Sequence, residues 1–150
     1  KEMSSHLTKR DYEYFDMARK IAQESTFDNF HLGAVIVYKG RVISTGCNSH
    51  KSHPMQKKYN KKYRHFNRSS KMINDSIHAE MSCLVNIPKC VDLNLDYSKC
   101  KVYIYRISPG KRLQIGLARP CEACMNALRD KGIRKIYYTT DGGFAMEELY

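Results

Sequence analysis

No uninterrupted apolar run in the 150 residues approaches the roughly 18 that a membrane-spanning helix needs. Residues 1–10 also lack the apolar stretch of a secretory signal. Neither a membrane protein nor an exported one is expected, and the expected setting is cytoplasmic. Internal repeats and low-complexity linkers are missing too, so the chain reads as one domain, residues 1–150. The six cysteines (Cys47, Cys83, Cys90, Cys100, Cys121, Cys124) show no disulfide spacing, which points to a reducing compartment. Acidic residues are the scarce charge: 15 Asp and Glu stand against 26 Lys and Arg, a net charge of +11. What remains, 42% hydrophobic and 27% charged residues, suits a soluble globular fold rather than a disordered tail.

The positive excess favours polyanionic partners, either nucleic acid or phosphorylated small molecules. It is concentrated. Residues 51–71 hold eight cations (Lys51, Lys57, Lys58, Lys61, Lys62, Arg64, Arg68, Lys71) and no acid. Tyr59, Tyr63 and Phe66 are interleaved with them. Cations neutralise phosphates and aromatic faces stack on bases, so Lys57, Lys58, Tyr59, Lys61, Lys62, Tyr63 and Arg64 are candidate nucleic-acid contacts. The plainer alternative is a solvated basic loop whose aromatics cover the core.

The local patterns give the order of elements. Thr8 and Asp11 suit a helix start, and Tyr12, Phe15, Ala18 and Ala22 recur at helical spacing. Residues 32–38 and 41–47 are β-branched runs around Lys39-Gly40, a hairpin. Residues 49–75 read as an irregular basic insertion, partly helical. Ser76 is a candidate cap for a helix over residues 77–86. Residues 101–107 are apolar on nearly both faces and predict a central strand. A turn follows at residues 108–110, and residues 113–118 either extend the sheet or form a loop. Pro120 opens a helix that Gly132 ends, residues 133–140 form a strand, and residues 144–150 suggest a last helix. This order predicts an α/β fold with a mixed sheet between helices.

Two short strings carry the chemistry. His78-Ala79-Glu80 and Pro120-Cys121-Glu122-Ala123-Cys124 each open an expected helix. Cys121 and Cys124 are three apart, so both sulfurs share one face of a first turn, where the helix dipole favours thiolates. His78 adds an imidazole nitrogen. Three such ligands suit tetrahedral Zn2+ with one position open, the catalytic arrangement; a structural site closes with a fourth ligand such as Cys83 or Cys100. Zinc lowers the pKa of water, and Glu80 stands two residues from His78 as proton acceptor and donor. H-x-E followed by P-C-x-x-C is the signature of zinc deaminases acting on nucleobases.

On these residues, together with residues 33–37, residues 41–46 and Asn48, the chain resembles the cytidine and deoxycytidylate deaminase superfamily. The resemblance implies a three-layer fold: a mixed five-stranded sheet with helices on both faces. It implies zinc on His78, Cys121 and Cys124, and Glu80 as the catalytic proton shuttle. Asn48 would contact the sugar, and the Ala79 N–H would meet the base carbonyl. Tyr138 lies by the loop that, in polynucleotide-acting members, contacts the base before the target; it serves equally well as a core strand residue. Arg119 borders the expected pocket, to hold a phosphate or to pair with an acid. Free deoxycytidylate deaminases often carry an insertion like residues 49–75, sometimes with a second zinc, for which Cys47, His50, His53 and His65 are the donors available.

The expected activity is zinc-dependent hydrolysis of an amidine C–N bond, cytosine to uracil. The substrate is single-stranded DNA or RNA, or a cytosine nucleotide. The alternatives are a free deoxycytidylate deaminase of nucleotide metabolism, an adenosine deaminase acting on RNA, and a non-enzymatic, zinc-stabilised nucleic-acid-binding module.

Overall fold

Helix α1 (Lys9–Ala22) starts where its sequence signals a start. The computed structural model describes residues 7–27, 30–64, 76–108 and 114–150. The Asp11 N–H donates to Thr8 Oγ1 at 3.2 Å, and the Thr8 N–H donates to Asp11 Oδ2 at 2.8 Å, completing a capping box. Tyr14, Phe15, Ala18 and Ala22 form the buried face. Tyr12 is 46% exposed and meets Phe144 edge-on at the rim instead.

Strands β1 (His31–Tyr38) and β2 (Arg41–Cys47) form the expected hairpin. Strand β3 (Cys100–Ser108) is central, antiparallel to β1 and parallel to β5 (Lys135–Thr140). The sheet runs β2-β1-β3-β5-β6, and the short β4 (Gln114–Gly116) pairs with β3 off this path. The architecture is the expected mixed sheet with helices on both faces, with six strands rather than five. The extra strand is β6 (Gly143–Glu148), in a segment whose sequence reads as a helix. Pairing with the outer edge of β5 satisfies backbone groups that a helix would leave open, and tertiary pairing outweighs local propensity. The strand alternates: Phe144 and Met146 pack towards the α1 face, Ala145 towards the other.

Two layers of core follow. Helix α1 packs on Val35, Val37, Tyr103 and Tyr137. On the opposite face, α3 (Ala79–Val85) and α5 (Glu122–Lys131) cover Ala34, Ile36, Val102, Ile104 and Ile136. Helix α3 begins at Ala79 with His78 as its N-cap, not at residue 77 with Ser76 as the cap as expected. Residues 76–77 are held extended, because the Ile77 N–H donates to Lys51 O and the Ser49 N–H to Ile77 O. Gly46 lets α3 rest directly on β2, since a Cβ there would fall 2.5 Å from the Cys83 nitrogen. This close seat fixes the depth of the helix that carries Glu80.

The basic segment contains helix α2 (Pro54–Tyr63), packed against α5. A short α4 (Lys89–Asp92) lies between α3 and β3. His65, Phe66, Arg68, Lys71 and the turn at Pro109-Gly110 lie outside the described residues. Among the described residues no helix is long and apolar enough to cross a membrane.

Candidate active site

Both motif strings place their key residues at helix starts. His78 is the N-cap of α3 and Cys121 the N-cap of α5, and neither side chain caps its own helix. Their side chains point at each other instead. His78 Nδ1 lies 3.6 Å from Cys121 Sγ and 3.3 Å from Cys124 Sγ. The three donor atoms all fall within 4.8 Å of one another. Among the described residues no other group of three His, Cys, Asp or Glu donors converges in this way.

The three donors shift one another's proton affinities. Cys121 receives a hydrogen bond from Cys124 and, despite burial, is held well below the usual thiol range, with His78 adding to the effect. Cys124, the donor of that bond and deeply buried, is pushed well up. Burial pulls His78 down, but its hydrogen bond to Cys121 and the nearby Glu80 outweigh this and raise it. Two sulfurs and one imidazole nitrogen form a donor set that fits Zn2+. No further cysteine closes the set as a fourth ligand. Cys83 donates to the Ala34 carbonyl, and Cys100 is buried in β3 outside the group.

Glu80, second residue of α3, is only 4% exposed. Burial pushes its carboxyl up, and the His78 charge pulls it partly back. A cavity of about 500 Å³ joins Glu80, His78 and Cys121 to Asn48, Phe30 and Arg106. A carboxyl of raised proton affinity beside three metal donors, on a cavity of nucleotide size, is equipped to activate water and relay protons.

The family model for the cytidine and deoxycytidylate deaminase zinc-binding region matches residues 8–140. The chain belongs to the cytidine and deoxycytidylate deaminase family. It is a hydrolytic deaminase of cytidine/deoxycytidylate type, with Zn2+ as cofactor. Family membership sets aside the non-enzymatic binding module. No curated protein sequence matches this deaminase. Its fold is similar to the dCMP deaminase of cyanophage S-TIM5, solved with dCMP and dUMP: TM-score 0.56, 18% identity, 89% of this chain and 83% of that one covered. It is also similar to cytidine deaminase from Burkholderia pseudomallei: TM-score 0.55, 17% identity, with 95% and 93% covered.

The remaining expected site residues divide. Asn48 lines the cavity, but its amide is engaged: Oδ1 accepts from the Leu32 N–H and Ser25 Oγ, and Nδ2 donates to Phe30 O. It clasps the loop before β1 to the end of β2. Ala79 opens α3, so its N–H has no acceptor four residues back within the helix. Two expectations need correction. Tyr138 is fully buried in β5 and donates to Glu147 at 2.8 Å, which makes it a core residue rather than a base contact. Arg119 borders the cavity but forms a two-pronged ion pair with Glu147, at 2.7 and 3.0 Å, so its guanidinium is committed to an acid rather than a phosphate.

That pair gives a stability prediction. Arg119 and Tyr138 hold the Glu147 carboxyl below its usual range. A depressed carboxyl contributes stability above its unfolded pKa and loses it as pH falls through the folded value. Glu147→Gln should therefore lower unfolding free energy at pH 7 by about 1–2 kcal/mol, discounted because Arg119 is partly exposed. Denaturant titrations should show this difference closing as pH drops below the ordinary carboxylate range.

The candidate nucleic-acid contacts divide as well. Lys57, Lys58, Lys61 and Lys62 are exposed on α2. Tyr59 is not available to a base: it is buried, its hydroxyl donates to Asp130 of α5 at 2.8 Å, and Tyr63 stacks on it. Arg64, at the end of α2, turns into the cavity. A second metal finds no site among the described residues: His53 Nδ1 caps α2 and His50 stacks on Phe27. Arg106, Phe30 and Gln56 escaped the sequence reading. Only Arg106 left a trace there, as a cation inside an otherwise apolar central strand.

Proposed function

We propose that this deaminase converts the cytosine of a monophosphorylated nucleotide to uracil, with release of ammonia. One observation carries the choice of substrate. Arg64 Nη1 is buried and has no hydrogen-bond partner among the described residues, and Arg64 lines the cavity that holds His78 and Glu80. A cation with an unused buried donor on a nucleotide-sized cavity calls for an anionic ligand group, and a phosphate monoester supplies it. Arg106 supports the same side. Its guanidinium lies over the Phe30 ring, 4.7 Å from the centroid, and its buried Nε also has no partner among the described residues. The nucleotides bound to the cyanophage enzyme are of this class.

His78, Cys121 and Cys124 would hold the zinc. When bound, zinc supplies Lewis-acid activation of a water at neutral pH. Glu80 would take the proton of the attacking water and deliver it to the ring nitrogen, then take the proton of the added hydroxyl and deliver it to the amine, which leaves as ammonia while the new carbonyl forms. Asn48 holds the cavity wall through its clasp on residues 30 and 32. The Ala79 N–H, which has no acceptor within α3, would meet the base carbonyl. Phe27 and Phe30 offer ring faces along the wall.

The second reading, single-stranded nucleic acid, is favoured by the four exposed lysines of α2. None of the four lines the cavity. Mass spectrometry of parallel incubations with dCMP, deoxycytidine and a single-stranded DNA oligonucleotide decides between the two. Conversion of dCMP is expected to dominate. Arg64→Gln should lower kcat/KM for dCMP by about 10–100-fold, the worth of one charged hydrogen bond, and leave deoxycytidine turnover unchanged. Neutralising Lys57, Lys58, Lys61 and Lys62 together should leave dCMP turnover intact. Conversion of the oligonucleotide alone, abolished by the lysine changes, would reverse the choice.

A further inference from the structure

We infer that Gln56, a buried glutamine of the basic segment, is a positioning residue of the zinc site. The inference rests on His78, Cys121 and Cys124 being the zinc ligands. Gln56 is fully buried although it sits in a helix whose neighbours Lys57 and Lys58 face solvent. Its side-chain oxygen accepts the backbone N–H of His78 at 3.1 Å. The same oxygen lies 4.0 Å from Cys124 Sγ. Its amide nitrogen donates to Asn60 Oδ1, one helical turn on, at 2.9 Å. One side chain from α2 thus reaches a ligand at the start of α3 and a ligand in the first turn of α5.

The His78 bond has a specific consequence. His78 is an N-cap with extended backbone, φ −83° and ψ 160°, and its imidazole is turned to the thiols instead of capping the helix. A residue just outside a helix has no intrahelical partner for its N–H. The Gln56 oxygen supplies that partner and so fixes the backbone from which the imidazole projects. Asn60 holds the amide in the orientation that presents oxygen rather than nitrogen to His78. Tyr59 anchors the same helix to α5 through Asp130. The segment that looked like a nucleic-acid arm is, on its inner face, a brace for the metal ligands. Outer-shell partners of this kind typically alter metal affinity by about 10–100-fold.

The test is zinc affinity, measured by chelator competition on the full chain, together with the visible spectrum of the cobalt(II)-substituted protein. Gln56→Met keeps the volume and removes both polar ends. It should weaken zinc binding by about 10–100-fold and shift the cobalt ligand-field bands. Asn60→Ala leaves Gln56 in place but frees its amide, and should weaken zinc binding by a smaller factor; it carries the test if Gln56→Met does not fold. Tyr59→Phe, which loosens α2 but leaves the Gln56–His78 bond, should weaken zinc binding by a smaller factor than Gln56→Met and leave the cobalt bands in place. Zinc bound by the wild-type chain tests the ligand assignment separately. Wild-type affinity and an unshifted cobalt spectrum in the Gln56 and Asn60 variants, or an equal loss in Tyr59→Phe, would overturn the inference.

Discussion

A Glu80→Gln variant is expected to keep its full zinc content and to lose turnover by about 10⁴-fold, the upper end of general acid–base catalysis. The substitution changes charge and proton capacity but hardly volume, and Glu80 sits in a site only 4% exposed, where volume matters. The three metal donors belong to His78, Cys121 and Cys124, so removing this carboxylate leaves the donor set whole. What disappears is the proposed proton carrier, which would serve twice: it moves a proton from the attacking water to the ring nitrogen, and then one from the added hydroxyl to the leaving amine. An amide can do neither. Burial raises the proton affinity of the Glu80 carboxyl, which suits a group that must release as well as accept near neutrality. Metal analysis beside single-turnover kinetics checks both halves. Zinc lost with the carboxylate would make Glu80 a ligand, and turnover within tenfold of wild type would remove it from the proton path.

The candidate metal site was legible because its signals are local. His78 with Glu80, and Cys121 with Cys124, are close pairs whose spacing matters only within one helical turn, and the fold keeps each pair at a helix start. The capping box of α1 and the central β3 were legible for the same reason. The proposed recognition of substrate was not, because it would depend on residues far apart in the chain. Arg119 stands beside the zinc motif in sequence, yet β6 delivers Glu147 to it. Arg64 and Arg106, 42 positions apart, meet the cavity from α2 and β3. The helix expected at residues 144–150 failed on similar grounds, since the open edge of β5 cannot be read from Phe144 or Met146. Tyr59 and Gln56 look like members of a solvated basic face until α5 and α3 are packed against them.

Cys124→Ala is expected to abolish stoichiometric zinc binding and, with it, activity. Cys124 is fully buried beneath α2 and α3, and its sulfur is the donor nearest His78 Nδ1. Without it, His78 and Cys121 remain, two donors where a tetrahedral catalytic site needs three. The loss also registers in stability, because zinc binds the folded chain and its ligands come from two parts of the fold, the start of α3 and the start of α5. With free zinc at 100 times its dissociation constant, the folded state gains roughly 2.7 kcal/mol. For a domain of this length that corresponds to a Tm shift of roughly 5–10 °C. A chelator should therefore lower the Tm of the wild-type chain by about that amount and leave the Tm of Cys124→Ala where it is. The difference between the two chelator responses isolates the metal term, because the small cavity left by the missing sulfur lowers the variant's Tm with or without chelator. A Cys124→Ala protein that still carries one zinc and still loses stability to chelator would show that the sulfur is not a ligand, and that the metal is held by a different set of donors.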